Sequence, residues 1–151
     1  MERYFIVDYA RIKEQPFSGL DGAETLNEND TLLLLLPDEN QSISFSALKK
    51  ITAGKANLVQ QILPDASDTS AECILGYLIG KYYQAQNEVF LITDDRHCFE
   101  YLQTFTAEET NPVNILAFHS IGEALKLENS KKANENFVYN ALEEFMAGGD
   151  T

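Results

Sequence analysis

Five short apolar runs, each followed by a stretch in which apolar residues recur at helical spacing, limit this chain more than any other feature. RYFIVD at residues 3–8, TLLLLLP at 31–37, ANLVQQIL at 56–63, EVFLIT at 88–93 and VNILAF at 113–118 have the length and evenness of buried strands. Between and after them lie FSGLDGAETL, SFSALKKITA, DTSAECILGYLIGKYYQAQ, CFEYLQTF and SIGEALKL, which read as helices, the second opened by a serine cap. A strand that is apolar at every position needs cover on both faces. The alternation therefore predicts an α/β domain: a mainly parallel five-stranded sheet between two helical layers.

With 151 residues and 44% hydrophobic content, one such domain with a full core is expected. The segment NSKKANENFVYNALEEFMAGGDT carries Phe137, Val138, Leu142 and Phe145 on one helical stripe, so residues 128–151 are expected to form an appended C-terminal amphipathic helix and tail behind a domain at 1–127. That helix is a candidate surface for a protein partner or a homo-oligomer. The longest apolar run, Leu32 to Leu36, is too short to span a bilayer, and Asp8 breaks the N-terminal run before it reaches the length of a secretory signal. A cytoplasmic protein without a membrane segment is the expectation. Cys73 falls in an apolar helical pattern and is expected in the core; Cys98 has nothing beside it that would activate a thiolate. Twenty-four acids against 11 bases give a net charge of -13, which repels phosphate backbones unless cations or a local basic patch intervene.

In open parallel sheets, chemistry collects beyond the carboxyl ends of the strands. Asp8 closes the first run, Asp38 and Glu39 follow the second, and Asp94 and Asp95 follow the fourth; the long third helix opens with Asp68 and carries Glu72. Carboxylates crowded at one rim repel unless a hard divalent cation joins them, so the pattern suggests a magnesium or manganese site that activates water. Each of these residues is also ordinary turn or cap chemistry. Receiver domains need a lysine after the fifth strand, where this chain has AFHS; haloacid-dehalogenase-like phosphatases need an aspartate where Ala10 stands; a dinucleotide domain needs a glycine-rich first turn, and DYARIKEQPFSG has none.

FIVDY, LDGAETLNENDTLLLLLPDEN, SFSALKKI, ANLVQQIL, AECILGYLIG and VFLITDD stand in the order of the segments of PIN-like domains, relatives of the PIN and NYN ribonucleases, and residues 3–125 resemble that family. The resemblance implies a sheet of order 3-2-1-4-5 and a Mg2+- or Mn2+-dependent pocket that hydrolyses RNA. By position it implies Asp8, Glu39, Glu72 and Asp95 as catalytic acids, with Asp8, Glu72, Asp95 and the neighbouring Asp94 as metal ligands. Arg11, Asn40, Arg96 and His97 are the candidates on the substrate side.

The chain also departs from that family. Arg11 stands in DYAR where similar members carry an asparagine, the central helix has Glu72 where they carry aspartate, and DDRHCF lacks the glycine of their DKGF-like turn. Two expectations follow from these departures. Arg11 either anchors a substrate phosphate or forms an ion pair in place of a metal. The chain is accordingly either a metal-dependent ribonuclease or a catalytically degenerate PIN-like module that acts in protein-protein interaction or oligomerisation.

Overall fold

The computed structural model describes residues 2–12, 19–37, 43–65, 67–84, 87–95, 97–110, 112, 115 and 117–130; for residues 97–99 it describes the backbone alone. In chain order these form β1 (Glu2–Val7), a single helical turn α1 (Tyr9–Ile12), a 3-10 turn (Ala23–Thr25), β2 (Asp30–Leu36), α2 (Phe45–Ala53), β3 (Asn57–Ile62), α3 (Asp68–Tyr82), β4 (Asn87–Ile92), α4 (His97–Thr106), β5 (Ala117–Phe118) and α5 (121–130). All strand pairings are parallel and the order is β3-β2-β1-β4-β5. The expected α/β architecture, with helices flanking a parallel sheet and a helix at the C-terminal side, is what the chain adopts.

The leucine run shows why. Leu32, Leu34 and Leu36 point to one face, where they join Phe5, Val7, Ala47, Ile92 and Ile121. Leu33 and Leu35 point to the other, where they meet Ile6, Leu75, Leu78, Ile79 and Leu91. A period of two divides one uninterrupted apolar run between two cores, and each core needs its own helical cover. At about 25 cal/mol per Å2 of buried apolar surface, each such leucine stabilises the fold by roughly 2 kcal/mol.

Local signals fix the helix ends. Ser44 caps α2, its hydroxyl accepting from the Ala47 N–H at 3.2 Å. Ser67 caps α3 by accepting from Ser70 N–H at 3.1 Å, and Asp65 accepts from Ser67 N–H in turn. Ser120 accepts from Glu123 N–H while the Glu123 carboxylate accepts from His119 N–H, a reciprocal cap on α5.

Two expectations are corrected. FSGLDGAETL forms no α-helix among its described residues, only the 3-10 turn, because Gly19 and Gly22 take positive φ of 83° and 103°. A Cβ on Gly22 would lie 2.5 Å from the Gly122 backbone nitrogen, so this loop is held flat against the start of α5, where Gly122 N–H donates to Asp21 O at 2.7 Å. Residues 9–12, to which the sequence assigns no element, make one helical turn. Cys73 is exposed: the buried stripe of α3 is Ala71, Leu75, Leu78 and Ile79, and Cys73 faces away from it. α5 spans residues 121–130; the amphipathic stripe beyond residue 130 lies outside the described residues.

At the amino end of the sheet lies an ion network that no motif announced. Arg3 donates from Nε and Nη2 to Asp30 at 2.6 and 2.8 Å and from Nη1 to Glu128 at 2.7 Å. Both acids are buried. Their hydrogen bonds and charges, working against the desolvation of the guanidinium, raise the Arg3 pKa, so this side chain stays charged and ties β1, β2 and α5 together.

Candidate functional site

The chain order reverses between β1 and β4, and the rim beyond their carboxyl ends is built from Asp8 and from Thr93, Asp94 and Asp95. β1 and β4 pair in register up to Val7 and Ile92, and Asp8 N–H donates to Ile92 O at 2.9 Å, which prolongs the ladder by one residue and pins Asp8 beside Thr93. The backbone then turns at once: Arg11 and Ile12 N–H both donate to the Asp8 carbonyl, at 3.1 and 3.2 Å, and form α1. Because residues three apart share a helix face, this turn brings the Arg11 side chain back over Asp8.

Asp8 has no solvent exposure. Its Oδ2 accepts from Arg11 Nε at 2.7 Å and from the Thr93 hydroxyl at 2.9 Å. Thr93 Oγ1 in turn accepts from Asp95 N–H at 3.1 Å. Arg11 Nη1 donates to Asp95 Oδ2 at 2.8 Å and lies 3.8 Å from Glu72 Oε1. One guanidinium therefore stands among three carboxylates from three elements. Asp8 Oδ1 and Arg11 Nη2, both buried, have no hydrogen-bond partner among the described residues.

Burial sets the electrostatics. Desolvation pushes the Asp8 carboxyl up from its ordinary value, outweighing the charge of Arg11 and the hydrogen bonds from Thr93 and Arg11 that favour the anion; the Asp95 charge pushes in the same direction as burial. Desolvation works against the Arg11 charge too, but Asp8 and Asp95 overcome it and the guanidinium pKa is raised. Arg11 is a fixed cation in this pocket at every pH of interest.

Of the acids named from sequence, Asp8, Glu72 and Asp95 do come together around Arg11. Asp94 Oδ1 lies 2.7 Å from His119 Nδ1, just before α5. Glu39, Asn40 and Arg96 lie outside the described residues, as does the side chain of His97, whose backbone opens α4. Asp8, Arg11, Asp68, Thr93, Asp94 and Asp95 border a cleft of about 270 Å3. Thr93 was not singled out from sequence. The signal for it is its place directly after an apolar strand and before two aspartates, where a hydroxyl can bond to both a side chain and a backbone amide.

The fit of a divalent cation follows from these distances. A guanidinium within 2.8 Å of both Asp8 and Asp95 holds the point where their oxygens converge, and a second positive charge there meets direct repulsion. As arranged, the residues do not fit Mg2+ or Mn2+. Among the described residues, no three of the histidines, cysteines, aspartates and glutamates form a group suited to hold a metal ion. None of the described helices is long and apolar enough to cross a membrane. In comparisons with protein-family models, with curated proteins and with solved structures, nothing matches this chain.

Proposed function

We propose that this chain is a catalytically degenerate PIN-like module, a cytoplasmic protein-protein interaction or oligomerisation domain, in which Arg11 is the built-in counter-ion of an acidic pocket. The observation that supports it is the pair of short bonds from Arg11, 2.7 Å to Asp8 and 2.8 Å to Asp95, at the rim where a nuclease of that type would hold its metal. A resident guanidinium offsets part of the carboxylate charge without recruiting water to a metal, and so takes the place of a cation without the means of generating a hydroxide. The free thiol of Cys73 is at home in a reducing cytoplasm.

The test is the melting temperature of the protein with and without Mn2+. Binding to the folded state alone stabilises by about 2.7 kcal/mol at a hundredfold excess over Kd. The unaltered chain is expected to give no shift, whereas Arg11→Ala, which opens the centre of the pocket, gains one that disappears when Asp8→Asn is added. A Mn2+ shift in the unaltered chain, with Mn2+-dependent RNA cleavage that Asp8→Asn abolishes, overturns this reading and restores the ribonuclease built on Asp8, Glu39, Glu72 and Asp95.

A further inference from the structure

The single turn α1 is tied to both helical layers at once. Successive residues of a helix point about 100° apart, so Tyr9 and Arg11, two positions apart, leave the turn on nearly opposite sides. Arg11 reaches toward β4 and α3, where it bonds to Asp95 and stands 3.8 Å from Glu72. Tyr9 reaches toward α2: its side chain joins the core cluster that holds Leu34, Leu36 and Ala47, and its hydroxyl accepts from the Ser44 N–H at 3.1 Å. Ser44 is the residue that caps α2.

Both ties depend on the turn keeping its shape. Four residues closed by the bonds from Arg11 and Ile12 N–H to Asp8 O are too short a helix to stand alone, so α1 is held by its side chains. Tyr9 and Ile12 hold it by burial, at 6% and 3% exposure, and burial is non-directional. Arg11 holds it by directed, charge-assisted bonds to Asp8 and Asp95. A hydrogen bond such as that from Ser44 to Tyr9 tolerates only small shifts, so it feels the loss of directed anchorage before the buried contacts do. The start of α2 gathers on the same residue. Leu48 N–H donates to Ser44 O at 2.9 Å and Ala47 N–H to Ser44 Oγ at 3.2 Å, and the side chains that this turn presents to solvent are Phe45 and Leu48.

We propose that α1 is a conformational link between the Asp8–Arg11 pair and the start of α2. With the pair intact, Tyr9 holds Ser44 and the first turn of α2 is closed. With the pair broken, α1 shifts, the Tyr9–Ser44 bond opens, and the turn that carries Phe45 and Leu48 loosens. Whatever draws Arg11 off Asp8 is thereby reported at α2, and by linkage a loosened Ser44 is felt at Arg11. The two arrangements differ in named contacts, the requirement for coupling that mere adjacency does not meet. The link goes beyond the counter-ion reading, because it concerns what the pair does to α2 and not what the pocket holds.

The experiment is amide hydrogen exchange followed by NMR on the full chain, unaltered and as Arg11→Met, Tyr9→Phe and the double variant. Tyr9→Phe keeps the buried ring and deletes the hydroxyl alone. The Glu123 amide, capped by Ser120 on α5 at 3.1 Å, reports any loosening common to the whole domain. Relative to it, Arg11→Met should speed exchange at Ser44, Ala47 and Leu48 about tenfold, as a local opening that loses one hydrogen bond does. Tyr9→Phe should do the same, and the double variant should go no further than either single, because both break one link. In the reverse direction, Tyr9→Phe should hasten exchange of the Arg11 Nε–H. Arg11→Lys, which keeps the cation and loses the forked bonds, should speed the same three amides and serves in place of Arg11→Met if that variant does not fold. Equal acceleration at Glu123 and Ser44 overturns the proposal, since Arg11 then acts on the domain at large and Tyr9 and Ile12 hold the turn unaided. So do unchanged exchange at Ser44 when the pair is broken, effects that add in the double variant, and an Arg11 Nε–H that Tyr9→Phe leaves unmoved. The Mn2+ melting shift is read on Arg11→Ala, so either result stands without the other.

Discussion

Replacing Arg11 by methionine keeps most of the side-chain volume and removes the only cation that touches Asp8 among the described residues. The charge centres of that pair are about 4 Å apart, which at an effective dielectric near 20 corresponds to about 4 kcal/mol. Arg11 is only 16% exposed and Asp8 not at all, so solvent returns little of this when the pair is broken. Stranding a buried carboxylate costs about 3–5 kcal/mol in general. Asp8 would keep the Thr93 hydroxyl alone, and relief of the repulsion among Asp8, Asp95 and Glu72 would no longer be available. A loss of about 3–4 kcal/mol is expected, a large share of a typical stability of about 5–15 kcal/mol. With an m-value near 2 kcal/mol/M, the urea midpoint should fall by about 1.5–2 M. The pH dependence has a definite sign. The Asp8 pKa is already raised by burial, and loss of Arg11 raises it further. A carboxyl raised in the folded state contributes stability below its unfolded pKa and loses it as pH rises through the folded value, so the deficit of Arg11→Met should shrink on acidification. Asp8→Asn with Arg11→Met removes the stranded charge and should recover most of the loss. A fall of less than about 1 kcal/mol, or a double variant as poor as the sum of the singles, refutes the counter-ion argument.

Gly22→Ala places a Cβ 2.5 Å from the Gly122 nitrogen at a φ of 103° and should cost roughly 2–4 kcal/mol, seen as a drop in Tm of roughly 8 °C. Ser44→Ala deletes the cap on α2 and should cost about 1 kcal/mol in urea unfolding, with Ser44→Asp retaining most of it. Tyr4, whose hydroxyl donates to Glu2, has its pKa pushed up to about 12; the phenolate absorbance that Tyr4→Phe removes should therefore appear near that pH and not near 10, about the ordinary value.

The sheet was legible because its information is periodic. A run such as Leu32 to Leu36 has few places to go except between two layers, and alternation with helical spacing then dictates parallel strands. β3, whose NLVQQI has the evenness of a buried strand, is exposed along most of its length because it lies at the edge, the place that the order 3-2-1-4-5 gives it. Cys73 was misplaced because α3 has its apolar residues on more than one side, which blurs the stripe. Asp8, Glu72 and Asp95 were found through their places at strand and helix ends. What joins them was harder to see: the Arg11 contacts depend on a one-turn helix too short to have a periodicity, and Thr93 acts through a single hydroxyl. The amino-end network of Arg3, Asp30 and Glu128 had no signature at all, since its members are spread across the whole domain.

The first strand made is the central one. β1 pairs with β2 on one side and on the other with β4, so that Glu2 stands beside Asn87. During synthesis β1 must wait, half its backbone unmatched, until residues 87–92 have emerged. A nascent chain stalled before Asn87 would expose the sticky flank of Phe5, Ile6 and Val7, and premature termination there should yield an aggregating fragment in place of a smaller folded one.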